Sequence, residues 1–402
     1  MSPRRLRLLY LMVWHPFPPG TGSQIRSASL CEALAEHHDL DILAFRQGPP
    51  GEPPVPPPFK IGRWHVVDRA PFERRPLRLA LGWLSPRPRH IFAMETREMR
   101  AQAMLWCRDA QYDAIIASTT ALADLALELP AGAHVLEEHN FMGRMMADRL
   151  TASRSELGRF RSRLRLWKNL RWERGLFERF DRVTLVSGQD RASALGFGFS
   201  AERLAVVPNG VDVAACQAVN VQPEPSSLIY PGSMTYAPNR DAVTWFVDRV
   251  WPALRQSHPD LTLRVTGSTA GVDLGDMDRL PGLSFTGHVE AVWPLVKASR
   301  ICIVPLQEGG GTRLKVLEAM ALGTPVVATA KAVEGLEVES EQHLLLADDG
   351  PDFVRQVDRL LRDDALAARL AARALAHVAE HYDWKTIGPR FVEVVEAACR
   401  KD

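Results

Sequence analysis

Short apolar runs, each followed by a turn and a helical pattern, recur in two series along this chain, and that repetition restricts the fold more than any single residue does. The first series opens with Leu8 to Trp14, the turn Pro18-Pro-Gly-Thr-Gly-Ser23, and a helix in which Ile25, Ala28, Cys31, Leu34 and Ala35 recur at helical spacing. Leu40 to Phe45, Ala114 to Ala117, His134 to Glu137, Val183 to Val186 and Leu204 to Val207 read as further strands with helical material between them. The second series starts at Leu228 to Tyr230, continues through an amphipathic helix over Asn239 to Gln256, and adds strands at Leu261 to Val265, Leu283 to Phe285 and Ile301 to Val304. Parallel strands need a crossover, usually a helix, so strands alternating with helices imply parallel sheets covered on both faces. The expectation is an α/β chain of two Rossmann-like, doubly wound domains, and 402 residues is a length for two or three domains.

The composition breaks at Val213 to Ser227, where small polar residues with Pro223 and Pro225 suggest a linker. The reading places a first domain at 1–212, a linker at 213–227 and a second domain at 228–384, with a last helix inside 385–402. Gly48 to Phe59 contains seven prolines and is expected as a stiff loop. Apolar content of 46% with 24% charged residues fits packed domains rather than disorder. The net charge of +1 conceals an asymmetry: residues 1–200 carry 29 Lys+Arg against 21 Asp+Glu, so the excess of acid lies in the remainder. Cys31, Cys107, Cys216, Cys302 and Cys399 are odd in number and scattered, which argues for a reducing compartment and against structural zinc. Arg4, Arg5 and Arg7 precede only seven apolar residues, and His15-Pro-Phe-Pro-Pro-Gly20 follows, so a buried first strand is expected there rather than a signal peptide. No run approaches the roughly 18 apolar residues of a spanning helix.

The most chemically loaded window is Glu308 to Thr329, in which Gly309, Gly310, Gly311 and Thr312 lead into a helix beginning near Arg313 and Leu314. Glycines admit close approach of a ligand to the backbone, and a helix start offers free N–H groups and the positive end of a dipole. Arg313 and Lys315 oppose that dipole unless an anion is bound, which points to a doubly charged guest. Glu318, acceptor-only when ionised, suits a pair of hydroxyls such as those of a ribose. Gly323 and Pro325 close the helix, and a strand resumes through Thr329. The competing reading is a plain helix with a glycine-rich entry and surface charges.

This window resembles the nucleotide-diphosphate signature of the retaining, family 4 glycosyltransferases with the GT-B fold (glycosyl transferases group 1), and the resemblance extends over most of the chain. It implies two Rossmann-like domains facing a central cleft. The first would take the acceptor, the second the nucleotide sugar, and the last helix would cross back onto the first domain. Glu318 matches the family's second glutamate, whereas Gly310 stands where the first is expected and Glu308 lies two residues further upstream. Gly232 and Ser233 match the family's glycine turn at the diphosphate, but the arginine and lysine that often follow it are absent. Gly267 and His288 fall where the family borders the ribose and base.

In the first domain, the glycine loop with Gly20 and Gly22 and the following Arg26 are candidates for the acceptor side. That loop fails as a dinucleotide fingerprint, because Ile25 replaces the third glycine and no acidic residue ends the second strand. His139 follows its strand as the family's sugar-contacting histidine does. Asn209, Gly210 and Ser187 are expected to line the cleft. Asp39-Leu-Asp41 and Asp276-Met-Asp278 imitate a metal-binding DxD, but their settings favour coincidence, and neither metal nor cofactor is expected. Arg154 to Arg182 holds ten cations interleaved with Leu and Trp, a candidate contact for the inner leaflet of the cytoplasmic membrane, or simply a solvated helix. No nucleic-acid module is present.

The expectation is therefore a cytoplasmic glycosyltransferase of bacterial polysaccharide assembly, either free or associated with the inner face of the cytoplasmic membrane. It would move a sugar from a nucleotide-diphosphate donor to a glycan or lipid-linked acceptor. The alternatives are a catalytically weakened scaffold that binds nucleotide or glycan, and a nucleotide-sugar epimerase.

Overall fold

The computed structural model describes residues 4–46, 53–68, 85, 87–88, 91–92, 94, 96–152, 156–309 and 313–400. The chain divides into two compact units, one of residues 1–208 with 387–402 and one of residues 209–386.

In the first unit the strands are β1 (Arg7–Met12), β2 (Asp39–Phe45), β3 (Trp64–Val67), β4 (Ala114–Ser118), β5 (Ala133–Glu137), β6 (Arg182–Leu185) and β7 (Leu204–Val206). They form one parallel sheet in the order β3-β2-β1-β4-β5-β6-β7. Helices α1 (Gly22–His37), α2 (Arg97–Asp109), α3 (Thr120–Glu128), α4 (Met142–Ala152), α5 (Glu156–Phe177) and α6 (Gly188–Gly196) make the crossovers. Leu8, Leu9, Tyr10 and Leu11 are all fully buried. A strand buried on both faces has no polar side to alternate with, which is why it reads as a continuous apolar run.

The second unit contains α7 (Val213–Ala218), β8 (Glu224–Pro231), α8 (Ala237–Arg249), α9 (Trp251–Ser257), β9 (Thr262–Thr266), β10 (Leu283–Phe285), α10 (Trp293–Lys297), β11 (Ser299–Val304), α11 (Leu314–Ala321), β12 (Val326–Ala328), β13 (Leu345–Leu346), α12 (Gly350–Arg362) and α13 (Asp364–His381). Its parallel sheet runs β10-β9-β8-β11-β12-β13. A separate apolar core, with Ile229, Phe246, Ile303, Leu317 and Phe353 fully buried, packs around it.

The last helix, α14 (Trp384–Cys399), joins the first unit from Ile387 onward. Phe391 packs 6.4 Å from the Tyr10 ring. Gly388 lies so close to α1 that an added Cβ would sit 2.7 Å from the Ala33 Cβ.

Three details differ from the sequence expectation. The 213–227 segment is not all linker: Asp212 caps α7 by accepting from the Ala215 N–H, and β8 already begins at Glu224. The helix expected over 239–256 is two helices, because Pro252 at the start of α9 cannot continue the ladder. Strands β3 and β13 are additional. The proline-rich stretch lies partly outside the described residues. Among those described, no helix is long and apolar enough to cross a membrane.

Each sheet has a switch point, β1/β4 in the first and β8/β11 in the second, where successive crossovers leave to opposite sides. Open parallel sheets hold ligands at the carboxyl ends of such strands. The chemistry-bearing side chains of both units lie at those ends.

Candidate functional site

In the second unit, β8 ends in Pro231 and the turn Gly232-Ser233. Gly267, just past β9, has φ +97, and a Cβ on it would meet the Ser233 backbone nitrogen at 2.6 Å. Only glycine accepts both that conformation and that approach. Ser233 Oγ donates to the Ser268 carbonyl at 3.0 Å, and Asn239 Nδ2 donates to the Ser233 carbonyl at 2.9 Å, so the turn is fixed from two sides.

The first turn of α11 meets this turn. Lys315 is half-buried, and its Nζ donates to Tyr230 Oη at 3.1 Å and Asn239 Oδ1 at 3.0 Å while lying 4.2 Å from the Tyr230 ring centroid. A Cβ on Gly232 would come within 2.7 Å of that Nζ, so the missing side chain makes room for the ammonium. Burial pushes Lys315 down to about 7, and neighbouring Arg313 acts in the same direction. Arg313 occupies the N-cap position of α11 and is 9% exposed. Gly309, at φ +113, lets the guanidinium pack where a Cβ would stand 3.0 Å from it. One turn later, Glu318 Oε1 accepts from Trp293 Nε1 at 3.1 Å. Burial raises the Glu318 carboxyl above its ordinary range, opposed by Trp293 and Lys315.

The structure thus brings together Gly232, Ser233, Gly267, Gly309, Arg313 and Lys315. Leu314 opens α11, Glu308 is exposed after β11, and exposed His288 follows Gly287, whose carbonyl accepts from Gly267 N–H at 3.0 Å. Gly310, Gly311 and Thr312 lie outside the described residues. Tyr230, Asn239 and Trp293 were missed as site residues. Tyr230 was visible only as the end of an apolar strand and Asn239 only as a helix start.

In the first unit, Glu137 ends β5 with no exposure. Its Oε1 accepts from Arg26 Nε at 2.5 Å, and its Oε2 accepts from Tyr10 Oη at 3.0 Å and faces His139 Nε2 at 2.9 Å. Burial would push this carboxyl up, but His139 and Arg26 outweigh it and hold Glu137 well below the usual carboxylate range. His139 Nε2 also lies 3.2 Å from Ser118 Oγ. His139 and Ser118 line a pocket of about 240 Å³ with Trp14, Ser23, Gln24 and Thr119. Thr119 holds φ +65, a conformation costly for a β-branched residue and one that clusters at functional sites.

Arg26, expected on the acceptor side, lies inside the first unit. It is 1% exposed, and besides Glu137 its Nη1 donates to the carbonyls of Val207 at 2.9 Å and Pro208 at 3.0 Å. An ion pair that deep ties α1 to the end of β5 and to the chain just past β7. Gly20 and Gly22 frame the start of α1, where Thr21 and Gln24 form a capping box, and the Gly20 N–H donates to Gln24 Oε1 at 3.2 Å. Ser187 caps α6 by accepting from the Asp190 N–H, and Asn209 and Gly210 are buried. Asp41 accepts from Tyr112 Oη and from Arg63, a structural engagement for that half of the first DxD look-alike.

Two parallel α/β units, each with polar side chains at the carboxyl ends of its switch-point strands, define the two-Rossmann-domain, GT-B class. Residues 21–210 match the family described as "Glycosyl transferase 4-like domain" and residues 225–363 the family described as "Glycosyl transferases group 1", together most of the chain. The chain belongs to these glycosyltransferases.

Among solved structures it is similar to Anabaena Alr3699/HepE in complex with UDP, at 17% identity and TM-score 0.63 over 98% of this chain and 100% of that one. It is also similar to sucrose-phosphate synthase of Thermosynechococcus elongatus, at 20% identity and TM-score 0.68 over 97% and 98%. At these identities the likeness shows the fold. A 44.6 kDa protein in the cps region of Klebsiella pneumoniae is 21% identical over 170 residues, 40% of this chain and 44% of that protein. The chain spans less than half the length of the curated relatives it matches.

Proposed function

We propose that this glycosyltransferase moves a sugar from a nucleotide-diphosphate donor to a hydroxyl of a glycan or lipid-linked acceptor, with retention of anomeric configuration and without a metal. The observation that carries the donor half is the Lys315 ammonium seated against the Gly232 turn, with Arg313 near enough to act on its charge. A departing nucleotide diphosphate gains negative charge, and positioned cations and backbone N–H groups stabilise that charge in the transition state. Glu318, beside Trp293, is assigned the ribose hydroxyls. The UDP of the Anabaena structure supports a nucleotide ligand, and the cps setting of the Klebsiella relative supports a place in polysaccharide assembly.

His139 is assigned a contact with the transferring sugar, with Glu137 fixing its ring. The acceptor is assigned to the first unit, where the pocket beside Trp14 presents Ser, Gln, Thr, Asn and His side chains suited to hydroxyl groups. Retention and metal independence rest on the family resemblance. For a lipid-linked acceptor, α5 supplies the contact with the membrane: Phe160, Leu164 and Trp167 are exposed at 66%, 50% and 59% among exposed Arg161, Arg163, Arg165 and Arg171.

The test is release of nucleotide diphosphate from UDP-, GDP-, ADP- and dTDP-sugars with saccharide acceptors in the presence of EDTA, and the anomer of the product by NMR. Acceptor-dependent release that falls by roughly 10²–10³ in Lys315→Met supports the reading. Binding without turnover would instead favour a scaffold, a reading prompted by Gly310 at the first glutamate's position. Donor isomerised without acceptor would favour an epimerase.

A further inference from the structure

We propose that Tyr230 and Asn239 are positioning residues that hold the Lys315 ammonium against the Gly232 turn, and that binding a nucleotide's diphosphate there draws a proton onto the lysine. The inference rests on the nucleotide-binding reading of the second unit. It adds to that reading two residues and a proton that the sequence did not suggest.

The geometry is that of a cation with neutral support. Tyr230 is fully buried and Asn239 nearly so. Tyr230 Oη donates to Asn239 Oδ1 at 2.8 Å, which orients its lone pairs toward Lys315, and Asn239 Oδ1 takes the second Lys315 hydrogen bond. The other end of the same amide donates to the Ser233 carbonyl, so one side chain sets both the ammonium and the turn. Among the described residues, both hydrogen-bond partners of Nζ are neutral oxygens, and the Tyr230 ring centroid lies 4.2 Å away, so one of the three ammonium N–H groups is left for a ligand. A carboxylate in place of Asn239 would satisfy the ammonium fully and leave nothing for an arriving anion. The neutral pair steers the lysine without spending its charge.

Neutral support has a second consequence, because the charged form of a buried lysine is stabilised less than in water. The titratable and charged groups around Nζ are Tyr230 from β8, Cys302 from β11, and Arg313 and Glu318 from α11. Burial pushes Tyr230 upward and Cys302 up to about 12, so neither ionises near neutrality. Arg313 disfavours the lysine's charge and Glu318 favours it, and burial leaves Lys315 at about 7. A diphosphate brought against it raises that value, so a proton is taken up on binding wherever the free lysine is partly neutral. The sign follows directly: affinity is highest below neutrality, where the lysine is already charged, and falls as the pH rises above about 7.

The probes are UDP-glucose, GDP-mannose and ADP-glucose, whose diphosphate diesters keep a constant charge from about pH 6 to about pH 8.5. Their binding to the full chain is measured by calorimetry across that range in buffers of different ionisation enthalpy. The expected result is proton uptake near and above neutrality, with a dissociation constant that climbs by up to about tenfold per pH unit at the alkaline end. Lys315→Met should bind weakly and without pH dependence. Asn239→Asp should weaken binding at every pH and move the break to higher pH, and Tyr230→Phe, which keeps the ring, should weaken binding with the break retained. Glu318→Gln, which leaves Lys315 and its cradle in place, should keep a pH break and shows that Glu318 is not its source.

Wild-type binding with no proton uptake overturns the inference while leaving the nucleotide reading intact. So does an Asn239→Asp protein, folded by circular dichroism, that keeps the wild-type affinity and break. Failure of every probe to bind at any pH overturns the nucleotide reading and this inference with it.

Discussion

Arg26 and Lys315 are both cations near the start of a helix that follows a sheet strand, yet they do opposite work. Arg26 is consumed by Glu137 and two carbonyls, whereas Lys315 rests on neutral oxygens beside an open turn. Nothing local in the sequence separates them, because the partner that commits Arg26 lies 111 residues away. Removing one member of a buried pair strands the other charge, so Arg26→Met should destabilise the protein by about 3–5 kcal/mol, and adding Glu137→Gln should recover much of it. Urea unfolding checks this; an unchanged midpoint with a raised acceptor KM would return Arg26 to the acceptor side.

Glu173, on the inner side of α5, shows the converse problem. Burial pushes its carboxyl up to about 8, against the lowering effect of Asn169. A carboxyl raised in the folded state contributes its full stability below its unfolded value, and that contribution is lost as the pH rises to and through the folded value. Glu173→Gln should therefore be more stable than wild type by roughly 2–4 kcal/mol near pH 9, a gap that closes toward pH 5. A gap independent of pH would refute the assignment.

At the scale of elements, the apolar runs were legible because strands buried on both faces carry no polar interruption. Strands β3 and β13 were not: β3 follows a proline-rich stretch, and β13 is only two residues long. The Gly232-Ser233 turn was legible as a glycine signal, but its closure by Gly267 is a contact between the ends of two strands that no single window contains. Gly267→Ala combines a disfavoured φ with a backbone clash, so a loss of about 1–3 kcal/mol is expected, together with weakened nucleotide binding. Thermal unfolding and nucleotide titration of this variant test whether the turn is part of the site.

Helix α5 makes a separate prediction. Its exposed Phe160, Leu164 and Trp167 should bring the protein down with anionic vesicles and not with neutral ones, with loss in salt and in Phe160→Ser/Trp167→Ser. Equal recovery with both vesicle types, or none, would leave α5 a solvated helix.

At the scale of the whole molecule, the two-sheet organisation followed from the repeated alternation, since strands that never pair in hairpins must cross over through helices. What the alternation could not give is which end of each sheet carries the chemistry in detail. That emerges from strand order, with switch points at β1/β4 and β8/β11 and with Glu137, His139, Ser118, Gly232 and Lys315 at the carboxyl ends around them. The β8/β11 end is proposed to hold a nucleotide diphosphate, with Glu318 taking its ribose.

The most direct measurement is thermal unfolding of wild type and Glu318→Ala with UDP, GDP, ADP and dTDP, without metal. A ligand at about 100 times its dissociation constant adds roughly 2.7 kcal/mol, enough to raise the midpoint by a few degrees. At least one nucleotide should raise the wild-type midpoint, and Glu318→Ala should lose most of that rise. No rise with any nucleotide, or an equal rise in both proteins, would contradict the proposal.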